Sequence, residues 1–343
     1  MPEAVFRADA APEIGGGHVM RCLALAAALV ECGWTCRFLV GAGTLKTVPA
    51  LARAGHAVHE GEAAWGEGPR SAELLVVDHY RLDAAYEASW RGHAGQILVL
   101  DDLADRRHHC DLLLDPAAGR ADADYRGLVP SECRLLLGPR YALLRPEFAA
   151  TRDAALARRD EAGVVRILIA PGATDPTDLA STLIDAAESV PGAIIDIVIG
   201  SAAPHLPRLR ARVAASPRLR LHVDAANMAR LMTAADLCLG AGGGTSWERC
   251  CLGLPTLLAV IADNQQGVAR GLAAAGAVEV VPADDPAALR AALHRLVQDG
   301  ARRRRMAAAA AALCDGKGAR RVASLLGAGL HSERACAPIR SDC

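Results

Sequence analysis

The chain has almost no lysine, only Lys46 and Lys317, so arginine carries nearly all of its positive charge, which reads as coding bias without functional content. It also lacks a charge surplus. Lys and Arg number 38 against 39 Asp and Glu, a formal net charge of -1, which leaves no basic excess for a nucleic-acid backbone to attract. No uninterrupted apolar run reaches the roughly 18 to 20 residues that a bilayer span needs, so no membrane partner is expected. No basic start, apolar stretch and small-residue cleavage site combine at the N-terminus, and the eleven cysteines form no C-x-x-C pair. Free thiols and a cytoplasmic location are the expectation. The one basic cluster, Arg302 to Arg305, precedes an alanine-rich helical stretch and reads as a solvated helix face.

Two missing motifs narrow the chemistry. Gly15 and Gly17 are followed by Met20 where a dinucleotide-binding G-x-G-x-x-G needs its third glycine, and the loop 9–17 is too long for that turn. No G-x-x-x-x-G-K-[ST] occurs either. Neither a nicotinamide enzyme nor a P-loop nucleotidase is supported.

A chain of 343 residues with 52% apolar and 22% charged residues has the length of two compact domains. Short apolar runs at 4–8, 35–40, 74–78 and 97–101 read as buried strands, separated by helix-forming stretches at 19–32, 45–54 and 84–92. Around 149–163 the sequence turns charged and alanine-rich, as a connection would. The alternation then restarts, with strands at 165–170, 194–200, 219–223, 237–239, 256–260 and 278–281. Helices fall near 178–189, 205–215, 228–234, 246–252, 265–275 and 286–298. Two doubly wound α/β domains, 1–150 and 163–330, are therefore expected to face a central cleft lined by loops after strand C-termini, with a disordered tail over 331–343.

Three glycine-rich turns carry candidate sites. The first, Gly15-Gly16-Gly17, joins a strand to an apolar helix, where close backbone approach and free N–H groups suit an anion, most naturally a phosphate. His18 at its mouth has the chemistry of a base beside a phosphorylated leaving group; the plain alternative is a tight turn followed by a surface histidine. The second, Gly242-Gly243-Gly244-Thr245-Ser246, repeats strand, glycine loop, Thr/Ser cap and helix, and can hold a diphosphate. Glu248, one turn on, suits two ribose hydroxyls, or else only complements the helix dipole. The third, Pro171-Gly172-Ala173-Thr174-Asp175-Pro176, can face the same cleft or be a plain turn. Asn264 and Gln265 have the polarity and position to bind sugar or phosphate, and Tyr80 to orient His18 or a water. Asp101 and Asp102 are weaker sugar ligands, since aspartates at strand ends usually cap the next turn. With His108 and His109 they lack a recognised metal spacing, so no metal is expected.

Taken together, Arg7-Ala8-Asp9 with Gly15-x-Gly17-His18-x-x-Arg21-Cys22-Leu23, Val77-Asp78-His79-Tyr80, Leu100-Asp101-Asp102-Leu103-Ala104-Asp105-Arg106, the GGGTSWE loop and Ala262-Asp263-Asn264-Gln265 resemble a family. It is UDP-2,4-diacetamido-2,4,6-trideoxy-β-L-altropyranose hydrolase, of the pseudaminic acid pathway, and the resemblance covers residues 4 to about 328. That family is similar in fold to GT-B glycosyltransferases, in which two Rossmann-like domains clasp a UDP-sugar. One departure is visible: where relatives have Phe-Gly-Gly-x-Asp-Pro, this chain keeps Gly172 and Asp175 but has Ala173.

The resemblance implies UDP held through Gly244, Thr245, Ser246 and Glu248. It also implies His18 as catalytic base with Tyr80 and Asn264 beside it, and Asp9, Gly15, Gly16, Gly17, Arg21, Gly172, Ala173 and Gln265 lining the substrate site. Neutral His18, its protonated form disfavoured by the positive helix end, would take a proton from water, which attacks the anomeric carbon opposite UDP and inverts it. Backbone N–H groups would meet the charge on the diphosphate, so neither metal nor cofactor is required. The expected partners are a UDP-sugar substrate and UDP product, and the expected state is a monomer or weak oligomer. The rivals are a GT-B glycosyltransferase, which needs an exposed apolar, basic-rimmed patch near His18 for a membrane acceptor, and a non-catalytic nucleotide-sugar-binding protein. No such patch is evident in the sequence.

Overall fold

The computed structural model describes residues 1–11, 14–61, 72–159 and 163–335. The first unit runs β1 (Glu3–Ala8), α1 (Gly17–Glu31), β2 (Thr35–Val40), α2 (Thr44–Thr47), α3 (Pro49–Arg53), β3 (Ala57–Glu60), β4 (Ala72–Asp78), α4 (Ala84–Ala88), β5 (Ala94–Leu100), β6 (Leu112–Asp115) and β7 (Arg134–Leu137). α5 (Pro146–Arg158) leads into β8 (Arg166–Ala170), α6 (Leu179–Glu188), β9 (Ile194–Ile199), α7 (Leu206–Ala214), β10 (Leu219–Val223), α8 (Met228–Ala234) and β11 (Leu237–Ala241). The chain finishes with α9 (Thr245–Cys251), β12 (Thr256–Ala259), α10 (Gln266–Ala274), β13 (Glu279–Val281), α11 (Pro286–Gln298), α12 (Gly300–Leu313) and α13 (Gly318–Ala335).

Among the described residues the strands form two wholly parallel sheets, ordered β3-β2-β1-β4-β5-β6-β7 and β10-β9-β8-β11-β12-β13. The central strands are short Leu, Val and Ile runs buried on both faces, as Leu74 to Val77 are, and such runs pair stably only in a sheet covered by helices on each side. Each sheet accordingly separates two apolar clusters. In the first unit Phe6 stacks on Phe38 at 4.8 Å beneath Leu25 and Leu29 of α1. The doubly wound, two-unit α/β class expected from the sequence is what folds.

The two units share helices. α5 packs on α8 and α9, and Arg152 donates to the carbonyls of Cys251, Ala311 (2.7 Å) and Cys314 (2.8 Å). α13 returns to the first unit and lays Ala319, Val322, Ala323 and Leu326 against its core beside α1. The expected tail 331–343 begins inside this helix, and residues 336–343 lie outside the described residues.

Gly271 marks a direct approach of one unit to the other. It sits inside α10, where glycine normally costs about 1 kcal/mol relative to alanine, yet a β-carbon there would collide with the carbonyl oxygen of Ala118, after β6. The sign should therefore reverse. Gly271→Ala is expected to cost about 1–3 kcal/mol through overpacking, lowering the unfolding midpoint, and to raise the radius of gyration measured by small-angle scattering. No change in either would mean that the approach is slack.

Candidate active site

In each sheet the strand order reverses once, between β1 and β4 and between β8 and β11, and the loops leaving those strands form the crevice where such folds bind ligands. After β1, Gly15 takes φ 72° so that its N–H reaches the Ala11 carbonyl at 2.8 Å. A β-carbon on Gly16 would stand 2.7 Å from Val48 Cγ2. Gly16 is the N-cap of α1 and Gly17 its first residue, so this compressed turn delivers His18 into the first helical turn.

His18 is buried, its ring meeting the Tyr80 ring edge-on with centroids 4.5 Å apart. Burial above all holds its pKa below the usual 6.5; Asp78 and Asp102 oppose the shift, while Arg21 and His79 reinforce it. The imidazole is neutral at neutral pH for a different principal reason than the helix end. The Tyr80 hydroxyl accepts a hydrogen bond of 3.2 Å from Asn264 Nδ2, which the turn Asp263–Gln265 after β12 presents from the opposite unit. Burial, with Asp102, raises the Tyr80 phenol pKa, so it stays protonated. His18, Tyr80 and Asn264 thus form one run of contacts across the cleft.

Other candidate side chains are engaged by the protein itself. Arg21 grips Asp78 with Nε and Nη2, both at 2.6 Å, and Asp102 with Nη1 at 3.0 Å. Asp9 is held by Arg7, by the Gly41 N–H and by His79 Nε2 at 3.1 Å. Burial opposes ionisation of Asp9, but the bonds from His79 and Arg7 outweigh it and depress its pKa. Asp101 accepts from Ala104 N at 2.9 Å, Arg106 at 3.0 Å and Tyr125 at 3.1 Å, so it fixes the turn that follows its strand. His108 Nδ1 lies 2.7 Å from Glu87, and among the described residues no group of three His, Cys, Asp or Glu is placed to hold a metal ion.

In the second unit the cap differs from expectation. Gly244, not Thr245 or Ser246, is the N-cap of α9, and no side chain caps it. The chain closes its first turn through backbone alone, Ser246 N donating to Gly243 O at 2.9 Å, and the buried Ser246 hydroxyl instead accepts from Arg249 Nη2 at 2.9 Å. Glu248 Oε1 stands 3.5 Å from Arg145 Nη2. Burial pushes the Glu248 pKa up from 4.5 to about 7, against the pull of Arg145 and Arg249. Gly172 has φ 117°, and the Ala173 carbonyl accepts from Gly200 N at 2.8 Å. Asp175 anchors that loop by accepting from Leu179 N (2.8 Å) and Ala180 N (3.0 Å) at the start of α6. Gln265 turns its amide oxygen back to Ile261 N at 3.1 Å and packs against Gly242.

Sequence reasoning passed over Asp78, Arg145 and Arg249 as site residues. Asp78 reads only as the end of a strand and a motif position, and nothing in the sequence marks Arg145 as the partner of Glu248 or Arg249 as buried beneath the glycine loop. One further feature emerges on α1, an open apolar groove of Met20, Leu23, Ala27 and Val30, flanked by His56 and by the ion pair Arg145–Glu147. Among the described residues no helix is long and apolar enough to cross a membrane.

No protein-family model matches the chain. It is 29% identical over 274 residues to UDP-2,4-diacetamido-2,4,6-trideoxy-beta-L-altropyranose hydrolase of Campylobacter jejuni, spanning 79% of this chain and 96% of that protein. It is 32% identical over 215 residues to the spore coat polysaccharide biosynthesis protein SpsG of Bacillus subtilis, covering 60% of this chain and 61% of the relative. The crystal structure of Acinetobacter baumannii MurG superposes with a TM-score of 0.65 at 16% identity, over 95% of this chain and 99% of MurG, a likeness of fold. The motif resemblance is borne out: over 79% of its length this chain is similar to the UDP-2,4-diacetamido-2,4,6-trideoxy-beta-L-altropyranose hydrolase, and it folds as a GT-B-like pair of Rossmann-like units.

Proposed function

We propose that this chain hydrolyses a UDP-linked 2,4-diacetamido-2,4,6-trideoxy-β-L-altropyranose to the free sugar and UDP, as a step toward pseudaminic acid. The observation that carries this reading is the run His18–Tyr80–Asn264, a buried neutral imidazole beside a phenol that is bonded to the opposite unit. A neutral imidazole can accept a proton, and the burial of His18 limits how much water reaches it. Water attacks the anomeric carbon on the face away from UDP as His18 takes its proton, and the configuration inverts. The new C–O bond forms while the bond to the diphosphate breaks, and its electron pair leaves with UDP.

UDP takes the second unit in this reading. The turn at Gly242 to Gly244 with Thr245 faces the diphosphate, Glu248 accepts from the ribose, and Ser246 serves through Arg249 by holding the turn. Gly172 and Ala173 border the diphosphate from the neighbouring loop. Gln265 and the loop of Gly15 to Gly17 border the sugar, while Asp9 and Arg21 brace that loop. Backbone N–H groups supply the charge stabilisation, so the mechanism is assigned no metal or cofactor.

One second reading is transfer of the sugar to an acceptor's hydroxyl; the apolar groove of Met20, Leu23, Ala27 and Val30 is on the helix that carries His18, but on another of its faces, and its Arg145 is paired with Glu147 at 3.1 Å. UDP release from a panel of UDP-2,4-diacetamido sugars in EDTA, with the anomer followed by NMR, separates the two. Acceptor-free release with inversion is expected. Tight UDP binding without release would move the assignment to a transferase.

A further inference from the structure

If His18 is the base, one ring nitrogen must take the proton while the other is held. Its Nδ1 is buried without a hydrogen-bond partner, and the nearest carboxylate oxygen is Asp78 Oδ1 at 3.9 Å. Asp78 is fully buried at the end of β4, directly at the switch point. Both of its oxygens already accept from Arg21 at 2.6 Å, and Oδ2 also faces the Cys22 thiol at 3.7 Å. A carboxylate this close with no countercharge would favour the imidazolium; burial of the ring and, after it, the guanidinium oppose that. The same carboxylate becomes the natural acceptor once Nδ1 carries a proton and the ring gains a second at Nε2.

We propose that Asp78 is a positioning residue for His18, accepting the Nδ1–H bond that aims Nε2 at the attacking water, and that Arg21 acts through Asp78 to keep the resting imidazole neutral. The gap of 3.9 Å closes on substrate binding, since catalytic hydrogen bonds are commonly long in unliganded enzymes. The proton passes from water to Nε2, the hydroxide oxygen bonds the anomeric carbon, and the imidazolium returns its proton to solvent after UDP leaves. The inference rests on the reading of His18 as base.

The charged and titratable groups facing His18 are Asp78, His79 and Tyr80 from the end of β4, Arg21 from its own helix and Asp102 beyond β5. The test is the pH–rate profile of UDP release. Asp78→Asn removes the charge that favours the imidazolium, so kcat is expected to fall about 10- to 100-fold and the acid limb to move to lower pH. Arg21→Met frees that charge, so the limb is expected to move to higher pH. UDP affinity should stay within about threefold in both. A purely structural role would lower kcat without moving the limbs in opposite directions, and limbs that stay put or move together overturn the proposal.

Nitrogen NMR of the parent protein covers the case in which either variant fails to fold. A resting His18 protonated on Nδ1 is expected; an Nε2–H tautomer overturns the inference. Loss of the function reading is distinguishable, because it would appear as undiminished turnover in a His18 variant whatever the tautomer.

Discussion

Replacing His18 by alanine is expected to leave UDP binding within about threefold of the parent while lowering turnover by about 10²–10⁴, the range a positioned general base supplies. The two effects separate because of where the residues lie. His18 belongs to the first unit, whereas the residues assigned to UDP belong to the second, and His18 meets the rest of the site through Tyr80 and, beyond it, Asn264. Removing the imidazole leaves a space beside Tyr80 but takes no donor from the nucleotide. Calorimetry with UDP and a coupled UDP-release assay read the two quantities independently. Turnover unchanged in His18→Ala would remove His18 from the mechanism, and loss of UDP affinity to the same degree as turnover would mean that the imidazole serves binding rather than proton transfer.

The pH dependence in the parent enzyme carries the same argument. A histidine with a depressed pKa is neutral in the folded state over a window in which the unfolded chain would hold the proton. Its contribution to stability is therefore present above the unfolded value of 6.5 and diminishes as pH falls toward the folded pKa. The base stays competent somewhat below pH 6.5, and the acid limb of kcat/KM, which reports the free enzyme, should lie below that value.

Most of the architecture was legible because buried parallel strands must be written as short continuous apolar runs, and Leu74 to Val77 or Ile167 to Ile169 are just that. The strands passed over are the ones where this signal fails. β3 is an edge strand with exposed ends, β7 lies at the other edge with only Leu136 fully buried, and β6 is four residues that follow a polar stretch. Glycine turns gave the site for a similar reason: chain geometry at a strand-to-helix turn restricts which residues fit. Partner choice left no such trace. Arg21 meets Asp78 and Asp102 from 57 and 81 residues away, and Arg145 meets Glu248 from the connection between the sheets. Spacing along one sequence carries nothing about such pairings, so Arg21 looked like a ligand contact and Asp78 like a strand end.

Glu248→Gln is expected to make the unliganded protein more stable at pH 8 and a much poorer binder of UDP. Burial raises the Glu248 pKa from 4.5 to about 7, so between those values the folded state keeps a proton that the unfolded chain has lost. The stabilising contribution of this group is thus full below about 4.5 and is lost as pH rises through about 7. At pH 8 the ionised carboxylate costs on the order of 3 kcal/mol, a penalty that glutamine removes; at pH 5, where folded Glu248 is already neutral, the variant should be nearly as stable as the parent. Denaturant titrations at the two pH values measure this directly.

The nucleotide reverses the preference. Two ribose hydroxyls need an acceptor with two oxygens, and each hydrogen bond to an ionised group is worth about 1.5–3 kcal/mol, so losing the charge should weaken UDP by about 10²-fold or more at pH 8. For the same reason the parent should lose UDP affinity more steeply than the variant as pH falls through 7, the variant keeping only the pH dependence of UDP's own terminal phosphate. Arg145, 3.5 Å from the carboxylate, limits the penalty without abolishing it. A parent whose pH dependence between pH 8 and pH 6 matches the variant's would place Glu248 outside the ribose contact, and a variant no more stable than the parent at pH 8 would mean that the largely buried carboxylate is adequately paired. The opposed changes in stability and affinity are what a ligand-binding carboxylate predicts and a helix-dipole partner does not, since the latter loses stability when its charge is removed.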